Sequence, residues 1–311
     1  MLLLEILGGL VALLAGGELL VRGASRLAVR MGMSPLVVGV LIVGFGTSMP
    51  ELVTCIDAAL RGAPGIAIGN IVGSNIANIL LILGIAALLR PFAVERAAIV
   101  RDGTLVIVTA IAFAAAAFTG LIERWMGVAF VLALAAYTVW TFRSDRDAEA
   151  LAADAPRPAG SVLVELAFVA AGLVLLVVGA GYLVDGSVTA ARLLGVSEEV
   201  IGLSLVAVGT SLPELATTIV AAVKRQSSIA LGNVLGSNIY NTMGIGGLTA
   251  IVAPIPVADG VRFFDLPVMV AVSLGLVLVV MTGDRVTRWE GGILLALYVT
   301  YLAVLTGIAG A

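Results

Sequence analysis

Two seven-residue stretches hold the residues of this 311-residue chain best suited to chemistry: GTSMPEL at 46–52 and GTSLPEL at 209–215. Each places a proline and a glutamate inside an apolar run. Two companion stretches follow, AIGNIVGSNIANIL at 67–80 and ALGNVLGSNIYNTM at 230–243. In them Asn70, Ser74 and Asn78, and likewise Asn233, Ser237 and Asn241, recur every four residues along one slowly drifting helix face. The donors on offer are two carboxylates, four amides, hydroxyls and backbone carbonyls, all of them oxygen. The chain has no histidine and one cysteine, Cys55, which excludes an internal disulfide and leaves zinc or copper without their usual ligands. An all-oxygen set suits Ca²⁺, Mg²⁺ or Na⁺. Two glutamates neutralise one divalent ion, and carbonyl and hydroxyl oxygens complete the roughly six to eight ligands that Ca²⁺ takes.

Proline explains where the carbonyls come from. Pro50 has no N–H and clashes with the preceding turn, so it frees carbonyls near Gly46 that lipid cannot satisfy. The expectation is a broken helix with an unwound Gly-Thr-Ser segment, repeated at Gly209–Ser211. A second reading stays open, because Ser48 and Glu51 have the spacing of a capping box, in which a serine and a glutamate satisfy the first N–H groups of a helix. A glutamine would cap as well without the cost of about 2.5–3.5 kcal/mol for a charge at the centre of a span. Gly69 and Gly73, and Gly232 and Gly236, have the small-xxx-small spacing that lets helices approach closely. Glu18, Asp57 and Asp185 have no counterpart in the other half and read as interfacial, and Cys55 reads as packing.

The elements that must position these residues are membrane helices. The chain is 61% hydrophobic and 12% charged, with mean hydropathy +1.17, outside the range of soluble domains. Its apolar runs lack the alternation of barrel strands. Ten segments result, near 2–21, 33–60, 65–89, 98–119, 125–142, 162–184, 196–223, 229–253, 264–281 and 289–308, most close to the roughly 20 residues a span needs. The start of the chain lacks the basic region of a signal peptide and reads as the first span. A charged, Ala/Pro-rich connector at 143–161 separates residues 1–142 from 162–311.

The two parts repeat each other at a constant offset of 163, gapless from Gly32/Gly195 to Asn78/Asn241. Five spans per copy make the second enter the bilayer from the opposite face, so the repeats are expected to be inverted. With the connector in the cytoplasm, thirteen basic residues fall on inner loops and four on outer ones, which favours ten spans with both termini outside. No basic block suggests a nucleic-acid partner.

The motifs GTSMPE…GNIVGSNIAN and GTSLPE…GNVLGSNIYN resemble the two repeats of the calcium/cation antiporter superfamily, in its sodium/calcium exchanger branch. The resemblance covers the whole layout and is most specific within 44–80 and 207–243. It implies an all-α membrane protein of the prokaryotic type, with ten helices in two inverted five-helix repeats and broken helices 2 and 7, in the cell membrane. It implies acidic ion ligands at Glu51 and Glu214. Further ligands fall on Thr47, Ser48, Ser74 and Asn78, on Thr210, Ser211, Ser237 and Asn241, and on the backbone near Gly44 and Ala207. The implied activity is antiport of Na⁺ for Ca²⁺ by alternating access, electrogenic at the family's usual stoichiometry, with spans one and six as the moving pair. No enzyme activity, cofactor or obligatory protein partner is implied. Potassium-coupled relatives, and some archaeal exchangers, carry Asp where this chain has Asn241, and the resemblance therefore implies potassium-independent exchange. The alternatives are a Ca²⁺/H⁺ exchanger of the same superfamily, a cation channel, and a membrane enzyme, which the buried carboxylates and missing histidine disfavour.

Overall fold

The structure, a computed structural model, describes residues 2–93, 99–150, 161–194, 207–281 and 285–309. Its helices are α1 (Leu2–Met31), α2a (Pro35–Thr47) and α2b (Met49–Leu60), α3 (Pro64–Leu89) and α4 (a π-helical turn Ile99–Gly103 running into Thr104–Ala117). They continue with α5 (Arg124–Ala150), α6 (Val162–Leu193), α7 (Leu212–Val223), α8 (227–252), α9 (Val261–Asp265 into Leu266–Met281) and α10 (Arg288–Ala309). A single helical turn, Ala207–Gly209, precedes α7. Among the described residues, seven helices are long and apolar enough to cross a membrane, and the bent pair α2a/α2b makes an eighth. α8 is continuous but more polar, because it buries Asn233, Ser237, Asn238, Asn241 and Thr242. The first part of the seventh expected span, 196–206, lies outside the described residues.

α1 and α6 run about ten residues past their expected ends, and in α1 the added turns find side-chain partners on α6. Arg22 lies 5.5 Å from the centre of the Phe168 ring. Arg26 and Arg30 approach the carboxylate of buried Glu165 at 3.9 and 3.6 Å. The two helices pack antiparallel through glycines at a spacing of seven, Gly9, Gly16 and Gly23 on α1 and Gly172, Gly179 and Gly186 on α6. A Cβ on Gly172 would sit 2.6 Å from the Leu20 nitrogen, and one on Gly9 would sit 2.6 Å from the Leu183 nitrogen. Backbone meets backbone there, which only glycine permits.

Four two-residue strands tie the ends of the bundle together. β1 (Phe92–Ala93) pairs antiparallel with β4 (Arg285–Val286), and β2 (Leu121–Ile122) with β3 (Ile255–Pro256). Each sheet therefore takes one strand from each half. The turn after α2b has Gly62 at φ 73°, and the equivalent turn after α7 has Arg225 at φ 63°, so the repeat extends to backbone geometry.

Candidate ion-binding site

The helix break is smaller than the sequence suggests. Phe45–Thr47 stays helical, Ser48 alone leaves the helix at φ −81° and ψ 4°, and α2a meets α2b at 42°. The cause is local: the Ser48 N–H still reaches Gly44 O at 3.2 Å, so Pro50 costs the chain a bend and not an unwound segment. Ser211 has nearly the same conformation, φ −90° and ψ 6°, at the start of α7.

The capping box does not form. Ser48 and Ser211 sit at N-cap positions, yet neither side chain caps its own helix. They reach across instead. Ser48 Oγ donates to Glu214 Oε1 at 3.1 Å, and Ser211 Oγ is 3.2 Å from Glu51 Oε1 and 3.3 Å from Ser74 Oγ. Each half thus holds the other half's carboxylate. Both glutamates are 1% exposed, and each has its second oxygen, Oε2, buried with no hydrogen-bond partner.

Further crossed contacts surround this pair. Thr47 Oγ1 donates toward Asn233 Oδ1 and Val43 O, both at 3.1 Å, and Asn70 Nδ2 donates to Thr210 Oγ1 at 3.1 Å. Ser237 Oγ contacts Gly44 O at 3.5 Å, where a Cβ on Gly44 would crowd the Ser237 nitrogen at 3.0 Å. Gly232 and Gly236 show the expected close approach, against Leu36 O and Val40 O. For Gly69 and Gly73 nothing among the described residues lies within 4 Å, and the counterpart of 36–40, at 199–203, lies outside them.

Side-chain hydrogen bonds therefore tie Ser48 to Glu214, Ser211 to Glu51 and Ser74, Thr47 to Asn233 and Thr210 to Asn70, while Ser237 meets the Gly44 carbonyl. Asn78, Asn241 and Ala207 are not tied in this way. Asn78 and Asn241 are buried in π-helical turns, 78–82 and 240–245, with both polar atoms of the Asn78 amide and the Asn241 Oδ1 unpartnered. Such turns displace a side chain from the regular helical register and recur at functional sites. Buried oxygens without donors are costly in an apolar bundle. A cation is a ligand that could satisfy such oxygens on Glu51, Glu214, Asn78 and Asn241. No group of three or more His, Cys, Asp or Glu side chains poised for a metal occurs among the described residues, so a cation here relies on neutral oxygens beside the two carboxylates.

Sequence reading missed several buried polar groups away from this centre. Glu165 is one, and its lack of a counterpart in the first half hid it. Asp102 accepts from Arg101 at 2.8 and 2.9 Å and from the Tyr137 hydroxyl at 3.0 Å, while Asp265 accepts from Tyr301 at 2.9 Å. Asp102 and Asp265 do obey the offset of 163, which was the available signal.

Comparison with known proteins agrees with this architecture. The family model described as sodium/calcium exchanger protein matches residues 1–143 and 164–307. The sodium/calcium exchanger MaX1 of Methanosarcina acetivorans is 38% identical over 97% of this chain and 97% of its own length. The inner membrane protein YrbG of Escherichia coli is 32% identical over 96% of this chain and 94% of its own. A solved structure of the sodium-calcium exchanger NCX_Mj, soaked with zero Na⁺ and Ca²⁺, superposes with a TM-score of 0.86 at 33% identity, covering 98% of this chain and all of that one. On fold, duplicated motifs and similarity along its length, the chain belongs to the sodium/calcium exchanger protein family.

Proposed function

We propose that the protein is a secondary antiporter that exchanges Na⁺ for Ca²⁺ across a prokaryotic cell membrane, with Glu51 and Glu214 shared between the competing ions. One observation carries the reading: each glutamate is held by a serine of the opposite half, and each keeps a buried carboxylate oxygen with no donor. Two such oxygens neutralise one Ca²⁺. Ser48, Ser211, Ser74, Ser237, Thr47, Thr210, Asn78 and Asn241, with the carbonyls of Gly44 and Ala207, supply the remaining oxygens to Ca²⁺ or to Na⁺ in its place.

The chain is read as ten spans in two inverted repeats, 1–142 and 162–311, with the 143–161 connector cytoplasmic and both termini outside. The reciprocal strand pairing and the crossed serine–glutamate bonds support a two-fold relation between the halves, and the antiparallel packing of the equivalent helices α1 and α6 supports inversion. Two uncompensated carboxylates in a dry bundle make the empty carrier unfavourable to reorient, which enforces exchange over leak. α1 and α6, joined by their glycine seam, form the pair that moves over the site. Exchange is potassium-independent, because Asn241 gives the site no third carboxylate, and it moves one net charge per cycle at three Na⁺ per Ca²⁺. That charge biases the cycle by about 2.3 kcal/mol per 100 mV.

Radiolabelled Ca²⁺ uptake into proteoliposomes tests this. An outward Na⁺ gradient drives uptake, K⁺ and proton gradients do not, and Glu51→Gln or Glu214→Gln abolishes it. Uptake driven by protons and indifferent to Na⁺ refutes the proposal, as does uptake undiminished in both variants.

A further inference from the structure

The two halves orient their equivalent asparagines in opposite senses, and the difference traces to a single substitution within the repeat. Positions 55 and 218 correspond under the offset of 163, but the first is Cys and the second Thr, both fully buried. In the second half the Asn233 amide nitrogen donates to Thr218 Oγ1 at 2.9 Å and to Glu214 O at 3.2 Å. Its amide oxygen is left to accept from Thr47 at 3.1 Å. In the first half the amide is turned over. Asn70 Oδ1 faces Cys55 Sγ at 3.5 Å, with Ala67 O a second acceptor for the thiol at 3.6 Å, and the amide nitrogen donates across the interface to Thr210 Oγ1 at 3.1 Å.

Donor and acceptor chemistry requires this reversal. A threonine hydroxyl accepts an amide N–H well and can donate in turn, whereas a thiol is a weak donor and a weak acceptor. An amide nitrogen set against sulfur loses most of a hydrogen bond, so Asn70 presents its oxygen to Cys55 and its nitrogen elsewhere. The consequence falls on two residues proposed as ligands. The polar contacts found for Thr47, to Val43 O, Gly44 O and Asn233 Oδ1, are all with acceptors, so its hydroxyl donates and keeps both lone pairs. Thr210 accepts the Asn70 N–H and has one lone pair committed.

We propose that Cys55 is a positioning residue that makes the two sides of the ion site unequal: by turning Asn70 it commits one of the two Thr210 lone pairs and so weakens Thr210 as a cation ligand, while Thr47 keeps both. The proposal rests on the antiport reading above for the identity of the ions. The inequality bears on Na⁺ more than on Ca²⁺. Ca²⁺ is held chiefly by the two carboxylates, whereas a monovalent ion depends on each neutral oxygen around it.

Isothermal titration calorimetry of Na⁺ and of Ca²⁺ on the purified full chain tests the proposal. Cys55→Thr gives Asn70 the partner that Asn233 has, lets the amide turn and frees Thr210. Apparent Na⁺ affinity then rises about fivefold, the equivalent of one net hydrogen bond, with Ca²⁺ affinity unchanged within twofold. Thr218→Cys imposes the same constraint on Asn233, commits a Thr47 lone pair and lowers Na⁺ affinity by a similar factor. The S–H stretch of the single cysteine provides a readout independent of ions. It moves in Asn70→Leu, where Ala67 O remains as the acceptor. Equal shifts for both ions, no shift in either variant, or an S–H stretch that Asn70→Leu leaves in place overturns the proposal. A protein that binds neither ion instead overturns the antiport reading, and the infrared result still judges the Cys55 contact.

Discussion

The crossed serine–glutamate pairing can be separated from the capping box by a double-mutant cycle on the ion-free protein. Ser48 lies three residues from Glu51 in sequence and 166 residues from its actual partner, Glu214, at 3.1 Å. A hydroxyl bound to a carboxylate contributes about 1.5–3 kcal/mol, and one bound to a neutral amide about 0.5–1.5 kcal/mol. Ser48→Ala combined with Glu214→Gln should therefore show a coupling energy of about 1 kcal/mol, while Ser48→Ala with Glu51→Gln should be additive within roughly 0.5 kcal/mol. The mirror cycle, Ser211 with Glu51 against Ser211 with Glu214, should behave the same way, because the 3.2 Å bond is its counterpart. Thermal unfolding in detergent with chelator present reads the difference, at roughly 2–4 °C per kcal/mol for a chain of this order of size. Coupling between Ser48 and Glu51, with additivity between Ser48 and Glu214, refutes the crossed geometry and restores the local cap.

Three further outcomes follow from the bundle. Glu165→Gln leaves Arg30, whose side chain is 12% exposed, without its counter-charge, and should destabilise the protein by about 3 kcal/mol in the same unfolding assay. Gly172→Val drives a side chain into the Leu20 backbone, where a Cβ already falls at 2.6 Å, and should cost at least about 1–3 kcal/mol and reduce yield of folded protein. Glu18→Gln breaks the ion pair with Lys224, but both side chains are about 40% exposed, so unfolding should shift by less than about 1 kcal/mol.

The motif residues were legible because duplication printed them twice, and because a glutamate inside an apolar run needs a reason. Their partners were not. Local spacing links Ser48 to Glu51, whereas the bond that forms joins different halves, and nothing in a linear pattern separates a serine that caps from one that reaches across. Pro50 correctly marked the break in the second span, yet its severity depended on whether Ser48 N–H could still reach Gly44 O, a matter of three-dimensional slack. The Asp102–Tyr137 and Asp265–Tyr301 pairs fell outside the gapless window: the aspartates keep the offset of 163, but the tyrosines are 164 apart. The glycine seam of α1 and α6 keeps the offset as well. It went unread because glycine in an apolar span carries no chemical signal until a neighbouring backbone is known.

Sequence symmetry set beside structural asymmetry gives a further test of movement. α1 packs along α7, where a Cβ on Gly17 would lie 3.1 Å from the Val220 side chain and 3.3 Å from Ala216 O. The counterpart of Ala216 is Val53 on α2b. Ala216 is 8% exposed and Val53 is 66% exposed, so the face that α1 covers on one half stands uncovered on the other. If alternating access exchanges the environments of the two halves, α6 must come to cover Val53 in the opposite state. Val53→Trp then adds bulk that the exposed position accommodates in the present state and that α6 has to pack over in the opposite one. Ca²⁺ binding to the purified protein should stay within about twofold, while Na⁺-driven uptake falls at least tenfold, the effect of about 1.4 kcal/mol on the reorientation barrier. Loss of binding in step with uptake would instead place Val53 in the ion site, and full uptake would mean that α2b is never covered.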